Sequence, residues 1–283
     1  MGHHVQVITD STADLSPQLR EQYHVGLIPL YVQLGEKAYR DGTEIQPAQL
    51  FDYVAQTGQL PKTSMPTPAD FAAAFRSVIE RGDDVLFIGI GASLSGTVQA
   101  ARLAAEAFPP GRVRVVDSEN LSTGVGLLVL RAAEQAAAGR TLDEIVAHLQ
   151  AAVSHVRTSF IVNTMDYLYK GGRCSALQNV VGSLLRIRPR IEVVNGRLEV
   201  ADKLLGARSK ALRALLDWCL QDQNRIDRHR LFVTHVACPE EAEALAGELR
   251  QALPDANVLI TEAGAVISSH CGPQTIGILY MVK

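Results

Sequence analysis

The chain is poor in the features that announce many specialised functions. Its 283 residues include four cysteines, Cys174, Cys219, Cys238 and Cys271. No two form a Cys-x-x-Cys pair and their spacing fits no zinc pattern, so a reduced thiol set is expected rather than a metal knuckle. Lys and Arg number 27 against 30 Asp and Glu, a net charge of −3 with the signs interspersed. That excludes the basic stripe a nucleic-acid-binding protein needs and the polybasic cluster of a lipid-surface anchor. No apolar run reaches the about 18 residues of a membrane-crossing helix, and there is no charge run, internal repeat or low-complexity tract. No apolar signal segment precedes the first predicted strand, so the expectation is a cytoplasmic protein with no integral membrane segment.

What is present describes a folded chain. Apolar residues make up 47% and charged residues 20%, the balance of a globular protein. The length exceeds one typical core and predicts two α/β domains, 1–155 and 156–283. Short β-branched runs alternate with Ala- and Leu-rich stretches. This predicts strands over 5–9, 25–32, 85–90, 113–116 and 160–163, and helices over 47–56, 68–80, 94–108, 123–138 and 141–153. Phe71, Ala74, Phe75 and Val78 fall at helical spacing behind Thr67 as N-cap and Pro68 at the first position. Thr141 and Glu144 stand in capping-box register. The unbroken apolar run at 85–90 fits a central parallel strand. In the second half, a helix over 165–170 stops at Gly171-Gly172, and Asn195-Gly196 predicts a hairpin turn between strands at 190–194 and 197–203. A helix over 207–220, a strand–helix–strand unit over 231–261 and a last strand over 276–282 complete the pattern. The apolar runs at 124–130 and 180–185 read as ordinary core.

Two nucleotide signatures fail. Gly91-Ala92-Ser93-Leu94-Ser95-Gly96-Thr97 follows a strand and opens a helix, a geometry in which free N–H groups and the helix dipole favour an anion. Yet Thr97 stands where a P-loop has Lys, and Gly89 and Gly91 lack the third glycine of a dinucleotide fingerprint. A hydrolase elbow needs Gly-x-Ser-x-Gly, and here Ser95 occupies the final glycine position. Ser93 as nucleophile with His270 as base is therefore the weaker reading, and Ser93 as a helix N-cap the stronger one.

Five loops carry hydroxyl, cationic or imidazole groups: Asp10-Ser11-Thr12-Ala13-Asp14, Thr63-Ser64-Met65-Pro66, 93–97, Lys170-Gly171-Gly172-Arg173 and His270-Cys271-Gly272-Pro273. Each has a plainer explanation: an Asx turn, an exposed loop, a helix cap, a helix stop with Arg173 neutralising its C-terminus, and a satisfied histidine. Jointly they suit a carboxylate or an acyl phosphate.

In this order and spacing, with Tyr167-Leu168-Tyr169 before the fourth, the five motifs resemble the DegV family along essentially the whole chain. Arg188-Pro189 stands where the family often has Lys-Pro, and Gln274 where a glycine often follows His-x-Gly-Pro. The resemblance implies an α/β fold of two domains, an N-terminal one with a parallel sheet and a C-terminal one with a mixed sheet, burying a fatty acid. It implies no cofactor, with the bound fatty acid as ligand. It also implies an ATP-dependent fatty-acid kinase subunit as partner, which phosphorylates the presented carboxylate, so that the acyl phosphate is carried on to phospholipid synthesis. Any membrane contact would be transient, and the chain itself would not be an enzyme. By residue match Thr63, Ser64, Ser93, Ser95, Gly96, Thr97 and His270 fall at the head group, and Arg173 at the site mouth or facing the partner. A sensor for another carboxylate metabolite shares this head-group chemistry and differs in lacking a long apolar channel.

Overall fold

A computed structural model describes residues 4–174 and 187–283. The apolar run at 180–185 lies outside the described residues. The first half builds a four-stranded parallel sheet in the order β2-β1-β6-β7, from β1 (Val5–Asp10), β2 (Gly26–Ile28), β6 (Asp84–Gly89) and β7 (Val113–Asp117). A second, antiparallel sheet, β4-β3-β5, comprises β3 (Tyr31–Leu34), β4 (Lys37–Arg40) and β5 (Lys62–Ser64). Its helices are α1 (Pro17–Gln22), α2 (Pro47–Thr57), α3 (Pro68–Ile79), α4 (Thr97–Ala105), α5 (Thr123–Ala137) and α6 (Leu142–Val153). The chain then enters a six-stranded mixed sheet, β10-β9-β8-β13-β11-β12. Its members are β8 (Val156–Ile161), β9 (Ile187–Val194), β10 (Arg197–Leu205), β11 (Ile226–His235), β12 (Val258–Glu262) and β13 (Ile276–Val282). Among the described residues, four helices accompany them: α7 (Asp166–Gly171), α8 (Arg208–Gln221), α9 (Pro239–Ala252) and α10 (Ala265–Cys271). The fold is thus α/β, with a parallel sheet in the first half and a mixed sheet in the second.

β6 is buried along its length because helices cover both faces of the parallel sheet. Phe71, Phe75, Ala100 and Ala101 of α3 and α4 meet Phe87 and Val85 on one side. Leu86 and Ile88 point the other way into α5 and α6. α5 is buried and apolar on every side over 124–130, and its later turns bring Arg131, Glu134 and Gln135 to a half-buried face. It touches Val5 and Val7 of the parallel sheet and Phe232, Leu279 and Met281 of the mixed sheet in one continuous core. Thr67 caps α3 reciprocally with Asp70, and Thr141 caps α6 with Glu144.

Four expectations need correction. The strand expected over 25–32 is broken at Pro29, whose missing N–H cannot join a ladder. β2 therefore stays in the parallel sheet while β3 starts the small one. β4 and β5 were invisible as strands because they are short and carry exposed charge. β8 begins four residues before the expected strand at 160. α4 starts at Thr97, not Leu94.

Candidate functional site

The parallel sheet reverses strand order between β1 and β6, and the loops leaving those strand ends open a crevice there. Asp10 sits at the end of β1 beside it. Its Oδ2 accepts from Ile90 N at 2.9 Å, and its Oδ1 accepts from Thr12 N at 2.9 Å and from Thr12 Oγ1. Asp10 is fully buried, so the Asx-turn reading of this loop holds and its polar groups stitch β1 to β6.

Ser93 does not cap α4. Its Oγ donates to the Gly196 carbonyl in the β9–β10 turn, tying the crevice loop to the second half of the chain. The N-cap is Gly96, and Ser95 supplies the hydroxyl at the helix start, sharing a hydrogen with Thr97 Oγ1 at 2.8 Å. The sequence placed the cap three residues early because residues 91–95 first make a separate turn, with Leu94 N and Ser95 N bonded to the Gly91 carbonyl.

Thr63 and Ser64 lie on β5, paired with Val32 and Tyr31, rather than in a loop. Immediately after them Met65 packs its sulfur over Gly96. A β-carbon at position 96 would lie 2.7 Å from that Sδ, so a larger residue there would make the flexible Met65 side chain shift.

His270 lies on α10, not in a loop, and its Nε2 is 2.8 Å from Thr63 Oγ1. Nδ1 is buried with no hydrogen-bond partner among the described residues and faces the backbone of Gly171. Burial, with the nearby Arg173 charge, pushes the imidazole down to about 4, so it is neutral at pH 7. An orphaned N–H is rarer and costlier than an orphaned acceptor, which puts the ring proton on Nε2. Thr63 Oγ1 then accepts from His270, and its own O–H is free to donate elsewhere. Arg173 is exposed and bonds the Gly171 carbonyl at 2.6 Å through Nη1, so it does neutralise the end of α7 while standing over His270. Gly172 supplies the left-handed cap at φ +67°.

Thr63, His270 and Arg173 thus converge, with Gly96 joined through Met65 and Ser95 and Thr97 at the adjacent helix start. Ser93 and His270 do not form a nucleophile–base pair: Ser93 Oγ is bonded to the Gly196 carbonyl, and the His270 ring meets Thr63 instead. Behind the polar groups lies an apolar cluster from both halves, including Leu94, Leu121, Phe160, Val162, Leu168 and Ile267. Leu121, Phe160 and Ile267 of this cluster line a cavity of about 20 Å³ together with Thr158, Thr234, His235 and Thr275. Gln274 takes a left-handed φ of +59° and donates its N–H to the Val236 carbonyl, which explains why a glycine suits that turn equally well. Among the described residues no group of three or more His, Cys, Asp or Glu side chains could hold a metal ion, and no helix is long and apolar enough to cross a membrane.

A family model described as an uncharacterised protein of the DegV family matches residues 4–283. A DegV domain-containing protein of Streptomyces coelicolor is 38% identical over 281 residues, 99% of each chain. A Thermus thermophilus DegV family protein, solved in a study of its fatty acid binding, is 38% identical with a TM-score of 0.92, covering 99% of this chain and 100% of that one. A DegV lipid-binding protein of Thermotoga maritima is 30% identical with a TM-score of 0.87, covering 100% of this chain and 99% of that one.

Proposed function

Because the chain belongs to the DegV family, we propose that it binds a long-chain fatty acid, holding the carboxylate at Thr63 and His270 and the tail among the apolar side chains behind them. The observation that carries this reading is the 2.8 Å contact between Thr63 and a half-buried, neutral His270 at the edge of an apolar cluster drawn from both halves of the chain. A carboxylate cannot be buried without partners. Here Thr63 O–H is the aimed donor, with the Ser95 and Thr97 hydroxyls and the N–H groups at the start of α4, Gly96 included, brought near through Met65, whereas Ser64, the next residue of β5, lies on the opposite face of the strand. Ser93 reaches a head group only when it releases the Gly196 carbonyl. Each buried methylene adds about 0.8 kcal/mol, so the tail supplies most of the affinity. Small-ligand sites span roughly 300–1,000 Å³, far more than the 20 Å³ cavity. A tail therefore enters by displacing side chains such as Phe160, Leu121 and Ile267.

The finer part of the proposal is that the bound carboxylate is presented to an ATP-dependent fatty-acid kinase subunit and that the acyl phosphate leaves on this chain. Uncharged donors suit that exchange, since they accept a carboxylate and a larger, more anionic product alike. Arg173, exposed at the mouth, is the cation placed to meet the incoming phosphate or the partner. Native mass spectrometry of the purified protein should show a retained fatty acid, and addition of ATP with a fatty-acid kinase subunit should convert it to acyl phosphate. Protein that emerges empty and ignores added oleate would defeat the lipid reading. Labelling of Ser93 by a fluorophosphonate would instead favour a hydrolase.

A further inference from the structure

Resting on the reading of Thr63 and His270 as the head-group site, we propose that Asp41, with Asp14 beside it, is a positioning residue that sets His270 from the opposite end of α10. The helix has seven residues and is about 10 Å long. Its N-cap, Gly264, has no side chain to cap with, and the first donors are satisfied from far away in sequence. Gly264 N donates to Asp14 Oδ1 at 2.8 Å, and Ala265 N donates to Asp41 Oδ1 at 2.7 Å. Both acids are themselves fixed. Asp14 Oδ2 accepts from Ser122 Oγ at 2.5 Å, and Asp41 N donates to the Leu30 carbonyl at 2.9 Å.

At its other end α10 is held by His270 on Thr63. Between the ends, Ala265 and Val266 pack with Leu30, Val32, Ile45 and Leu50. Asp41 directly follows β4 and Thr63 lies on β5, so both ends of α10 are tied to one small sheet. A tilt at Asp41 therefore moves the imidazole relative to Thr63.

The arrangement is an expensive way to cap a helix. Asp10, Asp14 and Asp41 are all buried, and Asp41 Oδ2 has no partner among the described residues. Burial raises all three carboxyls, Asp41 to about 6, and their mutual repulsion adds to it for Asp14 and Asp41. The charged groups facing Asp41 across the adjoining pocket are Asp10, Asp14, Arg20 and Glu262. A Ser or Asn at the N-cap would close the same helix locally without burying an acid. Departures of that kind from local economy belong to functional sites.

The test follows the His270 ring by ¹H–¹⁵N correlation in histidine-labelled protein, with His270→Gln identifying its signal among the eight histidines, and follows lipid affinity with cis-parinaric acid. Asp41→Ala should raise the ring pKa by about one unit or more toward the ordinary value and weaken affinity about tenfold. Asp41→Asn retains an acceptor for Ala265 N and should return the ring to near its wild-type titration, with a melting temperature no lower than wild type. In the wild-type protein the ring shifts should also show an inflection near pH 6, where Asp41 itself titrates. A ring titration in Asp41→Ala that superposes on wild type would overturn the proposal. So would the absence of the inflection near pH 6, which decides the matter should the alanine variant not fold. If wild-type protein takes up no cis-parinaric acid, the lipid reading fails, and the ring titration still decides whether Asp41 positions His270.

Discussion

Gly171 and His270 stand back to back: a β-carbon on Gly171 would lie 2.5 Å from His270 Nδ1, inside any permitted contact. The end of α7 thus forms the wall that presses the imidazole toward Thr63. The glycine pair at 171–172 has two separate jobs, close approach at the first residue and a left-handed cap at the second. Gly171→Ala should push the ring off Thr63 and weaken fatty-acid binding about tenfold or more, at a stability cost of roughly 1–3 kcal/mol from the overpacked contact. Isothermal titration with oleate and urea unfolding measure the two effects, and unchanged affinity would show that the ring's position does not matter.

Thr63 is the residue whose side chain both receives from His270 and points a hydrogen onward. Thr63→Val keeps the shape, removes the hydroxyl and leaves His270 Nε2 unpaired. We expect a loss of about 1–3 kcal/mol in head-group binding, some 5- to 150-fold in affinity. Thr63→Ser should retain most of it. Affinity for a fatty alcohol, which lacks the carboxylate, should hardly change between wild type and the valine variant, and equal losses for acid and alcohol would place the carboxylate elsewhere.

The sequence disclosed the parts of the fold that local chemistry writes down. Thr67 announces its cap ahead of Pro68 and Thr141 through Glu144 three residues on, the run at 85–90 announces a doubly covered strand, and Asn195-Gly196 announces its hairpin. Thr63 and His270 were singled out by motif order, though their elements were not expected: β5 is three residues long and α10 seven, too short to show a period. Ser93 misled because a serine before a helix and a serine in a turn just upstream look alike, and only the contact with Gly196, 103 residues away, tells them apart. Asp41 had no local signal, since its partner Ala265 lies 224 residues off.

His270 and Asp41 should oppose each other in acid. His270 titrates at about 4 in the folded protein against an ordinary 6.5. Between those values the unfolded chain binds the extra proton, and this group's contribution to stability falls as pH falls. Asp41 titrates at about 6 against an ordinary 3.8. The folded state then holds the extra proton, so its contribution to stability is present in acid and lost as pH rises through that window. Each effect is on the order of 3 kcal/mol at most. Relative to wild type, Asp41→Asn should therefore show stability rising more steeply between pH 4 and about 6, and His270→Gln stability falling with pH over the same range. Urea midpoints across the range test this, and variants with slopes parallel to wild type would refute both assignments.

The two sheets are also clasped on the side of α5 that faces β11. Arg230, only 5% exposed along its side chain, gives one hydrogen bond to Glu134 Oε1 at 2.7 Å and one to Tyr23 OH at 2.9 Å. Its guanidinium also lies 5.3 Å from the centre of the Tyr23 ring. His229 adds a contact to the same carboxylate oxygen at 2.9 Å. Burial alone would raise Glu134, but the bonds from His229 and Arg230 outweigh it and hold the carboxyl below its usual range. Glu134→Ala strands the Arg230 charge where water barely reaches, and losing one partner of a buried pair is far costlier than the pair is worth. Since Glu134 itself is one-third exposed, the expected loss is about 2 kcal/mol rather than the full figure for a dry pair. Tyr23→Phe, which removes one acceptor and keeps the ring under the guanidinium, should cost about 1 kcal/mol or less. Neither change touches the crevice, so lipid affinity should stay within about twofold of wild type. A large loss of affinity in Glu134→Ala would mean that the clasp controls how the sheets close over the tail, and a loss of stability below about 0.5 kcal/mol would mean that Arg230 finds water after all.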